Sequence, residues 1–331
     1  MSMKTFWEKL QEKTEKEKKP FLVQAPMENV TDVVFREMIN ICGRPDVFFT
    51  EFTNTDGLCS RGKDGVSHRL QFTKNQHPIV AQIWGNNPEN YYQSAMILKK
   101  QGFDGIDINM GCPDRDIVKK GSCAGLINNN SLVREIYLAT KEGAGNLPIS
   151  IKTRLGLNKI ETEKWIGFLL GLDLAALTIH GRIAKEMSKF PANWEEIGKV
   201  VKIRNEMEKK TIIIGNGDIQ NKEEAFEKYE KYHVDGIMIG RGIFSNLWVF
   251  NRDNENKIYN SNDKLNLLIK HITLFENTWK NKKPFEVMKK FYKIYISDFP
   301  NASDFRLSLM EAKDSESSIA MIKNKINENI I

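Results

Sequence analysis

Long apolar runs are missing from this 331-residue chain, and none reaches the roughly 18 residues of a membrane-crossing helix. No membrane partner is therefore expected. Residues Met1 to Lys19 alternate lysine with glutamate and lack the apolar stretch of a secretory signal, so the cytoplasm is the default expectation. Cysteine is scarce: Cys42, Cys59, Cys112 and Cys123 show no Cys-x-x-Cys spacing, which argues against a disulfide framework and a structural zinc site alike. Histidine is no better placed for a metal, because His68, His77, His180, His233 and His271 are scattered and only His180 ends a strand-like run. A Gly-x-Gly-x-x-Gly turn is also absent after the first such run, where Ala25-Pro26-Met27-Glu28 stands instead. The excess of positive charge is mild, +6, and decides little by itself.

What the chain does have is a repeated order. Short β-branched or apolar runs occur at Phe21 to Ala25, Val47 to Thr50, Ile79 to Ile83, Gly105 to Asn109, Ile149 to Lys152, Ala176 to His180, Thr211 to Gly215 and Gly236 to Gly240. Helical periodicity fills segments between them, as at Thr31 to Ile41, Pro88 to Gln101, Ser131 to Glu142, Trp194 to Lys209 and Lys222 to Tyr229. Eight strands alternating with helices predict an α/β fold, a TIM (β/α)8 barrel, with a doubly wound sheet as runner-up. After about Asn254 only helical patterns follow, including Leu265 to Trp279 and Phe285 to Ile296, so a smaller C-terminal helical domain is expected. The expected division is a charged extension over 1–19, a barrel over 20–250 and a helical domain over 251–331, with Asn251 to Asp263 as linker. Between Trp279 and Tyr295 six lysines interleave with Phe285, Phe291, Tyr292 and Tyr295 against one acid, Glu286. That segment is either an amphipathic pair with aromatics inward or a nucleic-acid-binding face.

The segment Ile106 to Pro113 reads as a core strand that breaks sharply at Gly111 and Pro113, leaving Cys112 at a rim where a thiol can do chemistry. In a barrel the site lies at the C-terminal strand ends. Those ends carry Pro26, Met27 and Glu28; Glu51; Gln82; Asn109 and Cys112; Lys152 and Arg154; His180 and Arg182; Asn216, Gly217 and Asp218; and Gly240, Arg241 and Gly242. The last two groups offer backbone N–H donors and a guanidinium, the equipment for a phosphate monoester. Lys152 can stabilise negative charge on a ring system, and the Gln82 amide suits the edge of a flavin-like or uracil-like heterocycle. Together these features point to FMN as cofactor.

In sequence, Ala-Pro-Met-Glu-Asn-Val-Thr-Asp-Val-Val-Phe-Arg (25–36), Ala-Gln-Ile-Trp-Gly (81–85), Asp-Ile-Asn-Met-Gly-Cys-Pro (107–113), Ile-Lys-Thr-Arg-Leu-Gly (151–156), Leu-Thr-Ile-His-Gly-Arg (177–182), Gly-Asn-Gly-Asp-Ile (215–219) and Met-Ile-Gly-Arg-Gly (238–242) resemble the tRNA-dihydrouridine synthases. The resemblance covers roughly Phe21 to Phe250. It implies an FMN-bound barrel, a helical tRNA-binding domain, and NADPH-driven reduction of the uridine C5–C6 bond in tRNA. It further implies that Pro26, Met27, Glu28, Gln82, Lys152, His180, Asn216, Gly217, Asp218, Gly240 and Arg241 hold FMN, and that Cys112 is the catalytic acid. Asn109, Arg154 and Arg182, with Lys289 and Lys290 of the lysine-rich tail, are expected to contact substrate. With tRNA as the implied partner, the tail reads as a binding face whose affinity falls steeply with salt.

Ile183-Ala184-Lys185 departs from the family pattern, as does Met288-Lys289-Lys290-Phe291. Cys123 stands where relatives usually carry a small residue, and is read as a bystander rather than a thiol able to trap Cys112 as a disulfide. Two rival functions remain open at this point. One is an FMN barrel acting on a free pyrimidine such as dihydroorotate; the other is a non-catalytic RNA-binding protein. Activity on free orotate or uridine against unmodified tRNA separates the first, and the effect of Cys112→Ala on reduction separates the second.

Overall fold

The computed structural model describes residues 4–252, 259–280, 282–297 and 299–328. Met1 to Met3 of the extension and residues 253–258 of the expected linker, Asn254 among them, lie outside the described residues. Eight strands are present among the described residues: β1 Phe21–Gln24, β2 Phe48–Asn54, β3 Ile79–Trp84, β4 Gly105–Met110, β5 Ile149–Arg154, β6 Ala176–His180, β7 Ile212–Asn216 and β8 Gly236–Ile239. All pair in parallel in the order β1-β8-β7-β6-β5-β4-β3-β2. The last gap is bridged where Val23 pairs with Val47 and Gln24 N–H donates to Val47 O at 3.0 Å, so the sheet curls round on itself.

Strand alternation divides the side chains into two sets. Ile106, Ile108 and Met110 of β4 turn outward into the large apolar layer beneath the helices, while Asp107 and Asn109 turn toward the barrel axis. On the axis, the lower layer is apolar: Phe21, Val23, Phe49, Val80, Ala176, Ile212, Ile214 and Met238 pack together. Its floor is the N-terminal segment. Phe6–Glu17 is a helix started by a Thr5–Glu8 capping box, and its Trp7 is buried against Phe21 with ring centroids 6.0 Å apart. The charged residues hide this helix in the sequence, yet Phe6, Trp7 and Leu10 join the axial cluster. Because the lower layer is filled with hydrocarbon, a ligand on the axis has room only above it, at the C-terminal mouth.

The helical region packs against the barrel through the same outer layer. Helix Ser261–Trp279 lies against Val33–Cys42; His271 is 5.9 Å from the Phe35 ring, and Trp279 Nε1 donates to Asp32 Oδ2 at 2.9 Å. Phe285 to Ile296, expected as one helix, is two single turns, Glu286–Lys289 and Tyr292–Tyr295. Between the turns Phe291 stacks on Phe35 at 4.9 Å, beside buried Met288 and Tyr292. Helices Ala302–Met310 and Ser315–Asn327 complete the region.

Candidate active site

The C-terminal mouth holds an open cleft. Pro26, Met27, Gln82, Asn109, Cys112, Lys152, Arg154, His180, Asn216, Gly217, Asp218, Gly240 and Arg241 all line it. After β1 the chain is turned by Thr31, whose hydroxyl accepts from Met27 N–H at 2.9 Å, presenting Pro26 and Met27 to the cleft. After β7, Gly217 has φ +135°, and a Cβ there would lie 2.6 Å from Ala192 Cβ, so only glycine lets this loop pass. Gly242 backs onto Ile219 O, where a Cβ would sit at 2.3 Å; the loops after β7 and β8 therefore form one wall.

That wall is charged. Asp218 accepts from Ala192 N–H at 2.8 Å, from Arg241 Nη2 at 3.1 Å and from Arg182 Nη2. Burial opposes its ionisation, but Arg182 holds the carboxyl below its ordinary range. His180 is driven far down by burial and then by Lys152 and the arginines around it, so it is neutral, and its Nε2 accepts from Arg182 Nη1 at 2.9 Å. Lys152 donates to Asn216 Oδ1 at 3.1 Å, and Asn216 Nδ2 in turn donates to Met238 O at 2.9 Å. Burial, reinforced by Arg154, lowers the Lys152 ammonium to about 8. Three cations, Lys152, Arg154 and Arg241, thus line the cleft against one carboxylate, Asp218. This donor set fits an anionic ligand, and the amides of Gln82 and Asn109 beside it fit the polar edge of a planar ring. The residues present therefore suit a flavin mononucleotide.

Cys112 stands on the opposite rim. Its loop is fastened at three points: Asn109 Oδ1 accepts from the N–H groups of Gly111 and Cys112, each at 3.0 Å, and Arg154 Nε donates to Gly111 O at 2.7 Å. Ala124 N–H donates to Cys112 O at 3.2 Å, which brings the Cys123 side chain alongside. The Cys123 side chain is the largest influence on the Cys112 thiol, which its hydrogen-bonding capacity, working against burial, lowers to about 7, while Cys112 and burial drive Cys123 far up. Cys123 is completely buried in the left-handed region, φ 52°. Cys123, read from the sequence as a bystander, therefore lies next to Cys112 in the fold. The sequence signal was there, two cysteines eleven positions apart around a glycine-rich turn.

Four expected site residues do not line the cleft. Glu28 is paired with Arg69 at 2.6 Å and leaves its second oxygen buried without a partner. Arg182 is 3% exposed and braces Asp218 and His180 from behind the wall. Lys289 Nζ is spent on Met310 O at 2.8 Å, and Lys290 Nζ on Asn29 O. The aromatics of the lysine-rich tail are core rather than a stacking platform, since Trp279, Phe291, Tyr292 and Tyr295 are all buried. Asp107 and Ser150, which the strand-end reading passed over, do not line the cleft but back its lining, Asp107 accepting from Gln82 and from Ser150. Among the described residues, no cluster of His, Cys, Asp or Glu is placed to hold a metal, and no helix is long and apolar enough to cross a membrane.

Over residues 23–331 the chain matches the family model described as dihydrouridine synthase (Dus). A probable tRNA-dihydrouridine synthase of Staphylococcus aureus strain Mu50 is 43% identical over 307 residues, covering 92% of each chain. Probable tRNA-dihydrouridine synthase 2 of Bacillus subtilis strain 168 is likewise 43% identical, covering 92% of this chain and 93% of its own. Among solved structures, a morphinone reductase superposes with TM-score 0.51 at 13% identity over 69% of this chain and 84% of its own. Histamine dehydrogenase from Rhizobium sp. 4-9 gives 0.52 at 12% over 76% and 48%. At such identities these two speak for the fold alone.

Proposed function

The chain belongs to the dihydrouridine synthase family, and from that premise we propose that it reduces the C5–C6 double bond of uridines in tRNA, with FMN in the cleft and NADPH as reductant. The observation that carries this reading is a thiol near neutral pKa, Cys112, lining the same cleft as the cations Lys152 and Arg241. Pro26, Met27, Gln82, Lys152, Asn216, Gly217, Gly240 and Arg241 would hold the flavin, with the guanidinium and the glycine-lined wall on its phosphate and Lys152 and Gln82 at its ring. His180, Asp218 and, behind them, Arg182 keep that wall in shape. Bound there, FMN supplies the hydride that adds to uracil C6.

The chain's own residues do the rest. Hydride addition at C6 builds negative charge toward C5 and O4, and the Cys112 thiol protonates C5 from the other face of the base. A thiol near neutral pKa suits a proton donor working near pH 7, since it is still substantially protonated yet releases its proton readily. Asn109 and Arg154 hold the loop that presents this sulfur and line the cleft where the base would enter. The uridine must leave its stack to reach them. Exposed lysines of the helical region, Lys282 and Lys293 among them, supply positive charge for the tRNA backbone.

The test is incubation of unmodified tRNA, free uridine and free orotate with the flavin-loaded protein and NADPH, followed by nucleoside mass analysis. Dihydrouridine in tRNA alone supports the proposal; turnover of orotate with none in tRNA overturns it.

A further inference from the structure

Asp107 lies within β4 with 0% exposure, and the chemistry above gives its carboxylate no task. Its two oxygens accept from Ser150 Oγ at 2.6 Å and from Gln82 Nε2 at 2.7 Å. A carboxylate can only accept, so the NH2 of Gln82 must face it. Gln82 Oε1 is thereby turned the other way, where it accepts from Asn109 Nδ2 at 2.9 Å. That commits the second amide too. Asn109 Oδ1 is left facing the N–H groups of Gly111 and Cys112 and accepts from both.

The chain of amides has one direction only. Reversed, Gln82 would set an oxygen against the Asp107 carboxylate, and Asn109 would set its NH2 against two backbone donors. We propose that Asp107 is a positioning residue for Cys112: its carboxylate fixes the orientation of the Gln82 and Asn109 amides and, through them, the place of the Cys112 loop. The strand registers supply the scaffold, since Asp107 is level with Gln82 and Ser150, and Asn109 with Lys152. A carboxylate with only acceptor oxygens is needed at 107, because an amide there would satisfy Gln82 in either orientation and let the relay reverse. The proposal rests on the reading of Cys112 as proton donor, but the position of the loop can be measured without flavin turnover or tRNA.

The experiment measures iodoacetamide labelling of Cys112 in the full-length protein at pH 7, read by mass spectrometry of its peptide. Asp107→Asn, close to isosteric, should slow labelling by about fivefold or more, as the loop loses its anchor and the sulfur its place beside Cys123. In tRNA reduction the same variant should lower kcat by about fivefold or more while flavin content and the KM for tRNA stay within about twofold. The double variant D107N/Q82E restores direction by a different route, because the carboxylate now placed at position 82 accepts both from the amide at position 107 and from Asn109. Its labelling should return to within about twofold of the unaltered protein even if flavin binding suffers, a rescue that general destabilisation does not give. Should D107N not fold, Ser150→Ala removes one of the two partners of the carboxylate and should slow labelling in the same direction. Labelling by D107N within about twofold of the unaltered protein, unchanged labelling in Ser150→Ala, or a double variant no better than the single, overturns the proposal. If the labelling order holds while the unaltered protein fails to reduce tRNA, the function reading fails and the positioning role stands.

Discussion

Replacing Cys123 by alanine removes the hydrogen bond that most lowers the Cys112 thiol. In the intact site this thiol is held at about 7 against an ordinary 9.0, with burial pulling the other way and the Asp114 backbone and Arg154 helping only in lesser part. Without the Cys123 S–H, burial is opposed only by those weaker influences, so the thiol returns to about 9 or above, a change of roughly 2 to 3 kcal/mol in the cost of ionisation. At pH 7 a thiol at 7 is half ionised and one at 9 about 1%; the more basic sulfur is also the better nucleophile, so iodoacetamide labelling should slow about fivefold to tenfold. The catalytic consequence runs the other way. An acid must be protonated to act, so turnover by the intact protein declines as pH rises through about 7, whereas in C123A the plateau extends to about 9 with a lower maximum, because a weaker acid gives up its proton less readily. Cys123→Ser, which returns a donor to the same place, should restore most of both properties. Stopped-flow labelling against pH tests this; a C123A midpoint within about half a unit of the intact protein refutes the hydrogen-bond argument.

Three further outcomes follow from other parts of the molecule. Arg241→Ala takes a charge-assisted donor from the end of the cleft proposed to hold the flavin phosphate and should weaken FMN binding by about tenfold to a hundredfold in a fluorescence titration, while Arg182 keeps Asp218 in place. Glu51, 1% exposed with one oxygen unpartnered, is pushed up to about 7 by burial and then by Asp32. Its folded value exceeds the ordinary 4.5, so it costs nothing below pH 4.5, destabilises progressively as pH rises to about 7, and stays costly above. Glu51→Gln should then gain up to about 3 kcal/mol at pH 8 and nothing at pH 4 in urea denaturation. Trp279→Phe keeps the ring but withdraws a donor from buried Asp32, leaving Lys283 as the remaining side-chain partner of that oxygen, and should cost about 1 to 2 kcal/mol by the same method.

The barrel was legible because each strand carries β-branched residues bounded by glycine, proline or polar turns, and the strand ends fell within a few residues of expectation. Strands β5 and β2 run further than expected, to Arg154 and Asn54, since polar residues that end an apolar run in sequence can still pair through their backbones. The cleft was legible for the same reason: the residue types that bind anions stand where strands exit. Three things were hidden. The floor helix disguises Trp7 among lysines and glutamates, because only one narrow stripe of it is buried. The lysine-rich tail shows helical spacing, but its aromatics answer to Phe35 and His271, partners far away in sequence. Asp107 looks like an ordinary strand residue until the neighbouring strands bring Gln82 and Ser150 to either side of it. Local pattern carries the elements; contacts between strands carry the support of the site.

The central proposal is that Cys112 gives its proton to a uridine held in this cleft. Single-turnover reaction of tRNA with the pre-reduced, flavin-loaded protein measures that step alone. Cys112→Ala should keep its flavin and its affinity for tRNA, yet form dihydrouridine about a hundredfold or more slowly, the usual reach of a general acid. Equal rates for the two proteins would contradict it.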